Sequence, residues 1–266
     1  MTPIRVNQDI QLSDGYHEYE IDTDRSLELT FSASGNVQVF VRIIHCGPLR
    51  IRTFNARDSK VSYLFWNDMK EPLNCDESHE VMGDAEVTVA YGECNEAASK
   101  RKTYMTLREN GAHGKVSSAS LVRADKNYSM EVVNFAPHTL GNIENYAVVL
   151  KGGKLMIDAI GKIVKGAKAS ESHQTSRALA FEEGQNAEIL PELLIDENDV
   201  QASHAMSMGR VDDDQLYYLM SRGLTMQQCT SLISTGYLMP IADVIDQEEL
   251  RNTLRKELEG KISSLC

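Results

Sequence analysis

Residues 191–238 read PELLIDENDVQASHAMSMGRVDDDQLYYLMSRGLTMQQCTSLISTGYL, and this stretch changes character halfway along. Its first part is strand-like: Glu192 to Ile195 is a short apolar run between Pro191 and the acidic tetrapeptide DEND. Its second part carries two helix-start signals. Asp212 stands three residues before Gln215, and Thr225 stands three before Gln228. That is the capping-box spacing, in which a short and a long polar side chain satisfy each other's orphan amides. Gly223 lies between the two segments and suits the left-handed position that ends a helix. The stretch therefore predicts a β segment that passes to two short helices, Asp212–Arg222 and Thr225–Thr235, through a loop carrying Ser203-His204.

Upstream, the chain alternates. Leu27, Leu29 and Phe31 are interleaved with Glu28 and Thr30, and Val39, Val41 and Ile43 lie on one face with Gln38 and Arg42 on the other. Val87, Val89 and Tyr91 repeat the theme, as do Leu155, Ile157 and Ala159. A period of two places one face on a core. From Leu27 to about Ile195 the chain is thus expected to be mostly β. Pattern alone leaves sandwich, barrel and solenoid open. Tight-hairpin signals are scarce, with Asn110-Gly111 and Asp14-Gly15 as the instances. After Tyr146 the aliphatic segments AVVL, KLMIDAIGKIV, RALAF and AEILPELLI follow one another with small residues at the corners, as stacked rungs require. No clean repeat is visible. Residues 68–84, DMKEPLNCDESHEVMGD, are polar and read as a surface loop or insertion. Downstream, Pro240 interrupts the helical pattern. Asp246 to Ile262 then forms a helix with Leu250, Leu254, Leu258 and Ile262 on one stripe, suited to packing on its own domain.

Composition narrows the function classes. A hydrophobic share of 42% and a charged share of 25% over 266 residues are those of an ordinary globular chain. No apolar run approaches the ~18 residues of a membrane span. The opening MTPIRVNQDIQLSDG lacks the charged-then-apolar pattern of a secretion signal, so the cytoplasm is the expected compartment. The net charge of −12, with no clustered basic stretch, argues against a nucleic-acid footprint. Five cysteines without a close-set pair do not outline a disulfide framework.

Motifs for chemistry are few. The chain has no GxxxxGK[ST] loop, no GxSxG, no HExxH and no Cys-x-x-Cys. His45-Cys46 is a lone His/Cys pair, more often structural than metal-binding, with no second pair to complete a tetrahedral set. His204 reads on spacing alone as a satisfied loop histidine, although imidazole suits iron or zinc and Ser203 could fix one of its ring nitrogens. Cys229 shares a helix side with Leu232 and Ile233 and is expected in a core, as are Cys46, Cys75 and Cys94 if they are not incidental. Cys266 is expected to be exposed.

The succession P-E-L-x-I-x-x-x-D-V-x-x-S-H, G-x-x-D, L-Y-Y-L-x-S-R-G and a closing GY resembles the SufB/SufD family, scaffold components of the SUF iron–sulfur cluster assembly machine. The likeness covers about residues 137–238. It implies a mainly β fold, a right-handed parallel β-helix followed by a small C-terminal α-helical subdomain, with domains 1–205 and 206–266. It implies a non-enzymatic scaffold that pairs with a SufB-like subunit or with itself. A SufC-type ABC ATPase would dock on the two capped helices, with Tyr217, Tyr218, Arg222 and Leu224 as the expected contacts. A transient iron–sulfur cluster at the subunit interface, with His204 as a ligand, is the implied cargo; no nucleic acid and no membrane is expected. The position of a sulfur-accepting cysteine in SufB-like members falls at or beside Gln185 here, which makes the chain SufD-like. The helical region that usually precedes the β-helix is not recognisable. The alternative is a β-solenoid carbohydrate-active enzyme, which would call for clustered carboxylates and aromatic platforms; aromatics are 6% of the chain with one tryptophan, Trp66.

Overall fold

The computed structural model describes residues 2–4, 8–181 and 186–265. Among them, strands succeed one another as two parallel sheets that are visited alternately, the path of a flattened solenoid. One sheet holds β1 (Thr2–Ile4), β3 (Gly15–Asp22), β5 (Asn36–His45), β7 (Lys60–Asn67), β9 (Glu86–Glu93), β11 (His113–Val122), β13 (Leu140–Val149), β15 (Ser170–Ala180) and β17 (Val200–Arg210). The other holds β2 (Gln8–Leu12), β4 (Leu27–Ala33), β6 (Leu49–Asn55), β8 (Leu73–Val81), β10 (Ser99–Leu107), β12 (Asp125–Asn134), β14 (Lys154–Ile163) and β16 (Asn186–Ile195). The parallel β-helix expected from the sequence is therefore the fold, followed by three helices: α1 (Asp213–Ser221), α2 (Met226–Leu238) and α3 (Glu248–Leu265).

Alternation explains the inner core. Leu27, Leu29 and Phe31 of β4 face the same interior as Val39, Val41 and Ile43 of β5 and Leu155, Ile157 and Ala159 of β14, and all are buried. The turns are not of constant length. Tyr16 pairs with Gln38, 22 positions on, Val89 pairs with Val116, 27 on, and Leu155 pairs with Ala187, 32 on. Corner lengths thus differ from circuit to circuit, which is why no fixed repeat shows in the sequence.

Three expectations are corrected. The polar segment 68–84 is not a surface loop, because β8 runs through it and turns Cys75, Glu77 and His79 inward, where they are buried. Ser203-His204 does not lie in a loop. It belongs to β17, an eleven-residue strand in parallel register with β15. Strands also start well before Leu27. The reason is the same each time: strands rich in polar residues hide from an alternation test built on aliphatic residues.

A second core lies outside the odd-numbered sheet. Phe40, Leu64, Trp66, Ala90 and Cys94 point away from the interior yet are buried, together with Leu238 of α2 and the α3 stripe Leu254, Leu258 and Ile262. The stripe packs on its own domain, as its spacing predicted. Trp66 has room because its register partner is Gly92; a Cβ there would sit 2.2 Å from the indole Cε3. Polar clamps fix the rim of this contact. Arg42 reaches Asp68 at 2.5 Å and Glu257 at 3.1 Å, and Lys261 reaches Asp68 at 2.6 Å.

Candidate functional site

The inward positions of the last turn follow from its register. In β15, Ser170, Ser172, Gln174, Ser176 and Ala178 face inward and are buried. Their partners in β17 are Val200, Ala202, His204, Met206 and Met208. Those five carry the inward face of the coil on a turn with no further strand over it among the described residues, since β17 ends one sheet and β16 ends the other. The consequence is exposure. No residue of β17 is buried, and Met206 and Met208 each keep 46% of their surface. On β16, Leu190, Leu194 and Ile195 are exposed as well. Sheet edges are normally guarded by charge, Pro or bulges. Glu188, Pro191 and Glu192 interrupt β16, but from Val200 to Met208 the β17 edge carries no Asp, Glu, Lys, Arg or Pro.

His204 therefore sits at an open rim, one register step above Gln174. The Gln174 amide donates to the Glu192 carbonyl at 2.7 Å, and its Oε1 is buried without a hydrogen-bond partner. Beside it, Ser203 meets His173 Nδ1 at 2.7 Å, and Glu171 meets His173 Nε2 at 3.1 Å. Ser203 is thus engaged with His173 on the outer face rather than with His204. Among the described residues, no three His, Cys, Asp or Glu side chains gather into a metal site. Gln185, the position opposite a sulfur-accepting cysteine, and Cys266 lie outside the described residues.

The helices begin directly after the rim. Asp212 caps α1 by accepting from the Asp214 amide, without a reciprocal bond from Gln215. Thr225 and Gln228 form the full capping box expected at α2. Gly223, at φ +93°, takes the left-handed position between the two helices. Leu216 is buried in a small core with Val211 and Cys229, against which Leu219, Leu224 and Ile233 pack; Leu232 points to solvent instead. Tyr217 and Tyr218 face outward, Tyr217 at 75% exposure, with the Arg222 guanidinium 5.2 Å over the Tyr218 ring. Of the four expected contacts, Tyr217, Tyr218 and Arg222 are thus exposed, Tyr218 and Arg222 side by side, and Leu224 forms part of the support beneath.

The sequence reading missed a charged centre inside the coil. Arg101 lies between Glu77, at 2.5 Å, and Glu93, at 2.6 Å, and stacks 4.4 Å over the Tyr91 ring. Lys126 joins it through Asn95 at 2.5 Å and Ser99 at 2.9 Å. All six of these polar side chains are buried. Burial alone would push the Glu77 carboxyl up, but the Arg101 guanidinium opposes it and the net value falls to about 2. Burial pushes the Lys126 ammonium down and the Cys75 thiol up. The only hint in the sequence is KRK at 100–102, whose middle member lands on the inward face once the register is known.

Comparison with known proteins fits this architecture. Residues 51–237 match the family model described as SUF system FeS cluster assembly, SufBD core domain. The iron–sulfur cluster assembly protein SufD of Bacillus subtilis is 32% identical over 181 residues, which cover 67% of this chain and 41% of that protein. A SufBD family protein of Mycobacterium tuberculosis is 27% identical, covering 67% of this chain and 22% of its own length. SufB of Bacillus subtilis is 24% identical over 59% of this chain and 35% of its own. The chain thus spans less than half the length of these relatives. No helix among the described residues is long and apolar enough to cross a membrane. With a core-domain match over most of its coil and its first helices, and a nearer likeness to SufD than to SufB, the chain belongs to the SufB/SufD family of iron–sulfur cluster assembly proteins and is SufD-like.

Proposed function

We propose that the chain is a non-enzymatic scaffold of the SUF machine, working in the cytoplasm. Its coil, which runs to Arg210, pairs through the open last turn with a SufB-like subunit or a second copy. The helices that follow β17, which runs on to Arg210 past the expected boundary at 205/206, dock a SufC-type ABC ATPase. The observation that carries this reading is the uncovered β17. A strand of eleven residues, exposed from Gln201 to Arg210 and free of charge from Val200 to Met208, calls for a partner that completes its hydrogen bonds and covers Met206, Met208 and Leu194. His204 would then lie at the seam, where the transient cluster is assembled as cargo with ligands supplied from both sides.

The helix pair supplies the second surface. Two exposed tyrosines and a stacked arginine are the side chains that most often anchor protein interfaces. Because α1 follows β17 with Val211 and Asp212 alone between them, a pull on the helices reaches the rim directly.

Anaerobic co-expression with a SufC-type ATPase and a SufB-like subunit tests both surfaces. Arg222→Glu should abolish ATPase capture while subunit pairing persists. His204→Ala should leave pairing intact and lower the iron and sulfide recovered after reconstitution. Full ATPase capture by the Arg222 variant would remove α1 from the interface. Unchanged iron and sulfide would remove His204 from the site.

A further inference from the structure

On the outer face of the last turn, Glu171, His173 and Ser203 form a hydrogen-bonded row that cluster assembly does not use. β15 supplies Glu171 and His173, two residues apart and so on one face. β17 brings Ser203 beside them as the register partner of His173. Glu171 Oε2 lies 3.1 Å from His173 Nε2, and Ser203 Oγ lies 2.7 Å from His173 Nδ1. These contacts fix the protons. An ionised carboxylate only accepts, so in the neutral imidazole Nε2 carries the hydrogen and donates to Glu171. Nδ1 is then the lone-pair nitrogen and accepts from the Ser203 hydroxyl. A serine bonded to a histidine that a carboxylate orients is the arrangement that activates a hydroxyl for attack.

Access and charge narrow what that hydroxyl can attack. Ser203 is exposed, and His173 and Glu171 keep 37% and 43% of their side-chain surface, so a small molecule reaches Oγ directly. β17 ends its sheet among the described residues, and an edge strand presents amides without strand partners. Those amides are the donors available to an oxyanion that forms beside Ser203. From Val200 to Met208 no Lys or Arg stands ready to hold a phosphate, and the Glu171 carboxylate repels anions. A neutral acyl group fits these surroundings better than a phosphoryl group.

We propose that Ser203 is a modification site that accepts the acyl group of small, uncharged activated esters, with His173 as its base and Glu171 as a positioning residue. Oγ attacks the carbonyl carbon while its proton passes to His173 Nδ1. The bond from that carbon to the leaving oxygen then breaks, and the leaving group departs with the proton from Nδ1. An acyl ester on Ser203 remains, and nothing is oxidised or reduced. The mark falls on the strand whose edge the scaffold reading pairs, but its formation needs only the free chain.

The test treats the full chain alone with para-nitrophenyl acetate at neutral pH, quenches in acid and maps the acetyl groups by peptide mass spectrometry. Ser203 should carry one. Ser207, on the same face of the same strand but opposite Arg177, should label far more slowly. His173→Ala should slow acetylation of Ser203 about a hundredfold at an unchanged melting temperature. Ser203→Ala should remove it. In Glu171→Leu, nitrogen NMR shifts of His173 should report loss of the single Nε2–H tautomer, a change that a merely structural carboxylate would not produce. An unlabelled Ser203, or one labelled no faster than Ser207 in the parent, overturns the site without recourse to any variant. Equal labelling without His173 overturns it as well, and an unchanged tautomer removes Glu171 from its role. Neither ATPase capture nor subunit pairing enters these measurements, so the scaffold reading stands or falls separately.

Discussion

The turn through β8, β9 and β10 and the turn through β16 and β17 place side chains on the same inward register, with opposite outcomes. In the former, two glutamates and an arginine are wholly buried, because coil lies on both sides of them. In the latter, a histidine and two methionines in equivalent positions stay exposed. Chemistry does not explain the contrast, since the more polar set is the one sealed inside. The difference is the next turn. A solenoid buries each rung with its neighbour, so its final rung is a core surface without a lid.

Substitutions at the two levels should therefore differ in kind. Glu77→Gln strips Arg101 of a buried counter-charge and should cost about 3–5 kcal/mol in denaturant melts at neutral pH. Its pH dependence adds a second reading. The folded carboxyl titrates near 2, below its ordinary 4.5, so its contribution is present above that ordinary value and fades as pH falls from 4.5 towards 2. The variant should lose that part of the acid slope. Equal acid slopes in both proteins would show that the pair does not carry it.

Gly92→Ala probes the intermediate layer between sheet and helices. The added methyl meets the Trp66 ring, and about 1–3 kcal/mol of destabilisation should follow, with a red shift in emission from the sole tryptophan. An unshifted spectrum would mean that the ring does not need to move. The smallest effect on stability is expected at the rim. Leu194→Glu should change unfolding free energy by no more than about 0.5 kcal/mol. It should nonetheless abolish pairing with a SufB-like subunit, measured by light scattering. A large loss of stability there would mean that the last turn is sealed like the others.

Much of this contrast was hidden from the sequence for a physical reason. Aliphatic alternation marks strands well where the interior is apolar, as at Leu27 to Phe31, and caps mark helices well, as at Thr225 and Gln228. Both signals are local. The inward face of β8 carries Cys75, Glu77 and His79, whose burial depends on Arg101 one turn later, so the segment looks like a loop until register is known. The coil gave no periodic signal because its circuits vary from 17 to 32 positions. β17 lacks the aliphatic alternation of a half-buried strand because neither of its faces is covered. The motif around Ser203-His204 located the rim all the same, while its strand character came only with the fold.

The clamp between Arg42 and Glu257 joins positions 215 apart, and Lys261 to Asp68 joins positions 193 apart. During synthesis the early circuits can coil behind the ribosome one upon another, but Phe40, Leu64 and Trp66 stay bare until α3 has emerged. Such sequence-distant closure is slow compared with rung-by-rung growth. Nascent coils thus pass through an interval with a greasy flank on show, when a chaperone has most to recognise.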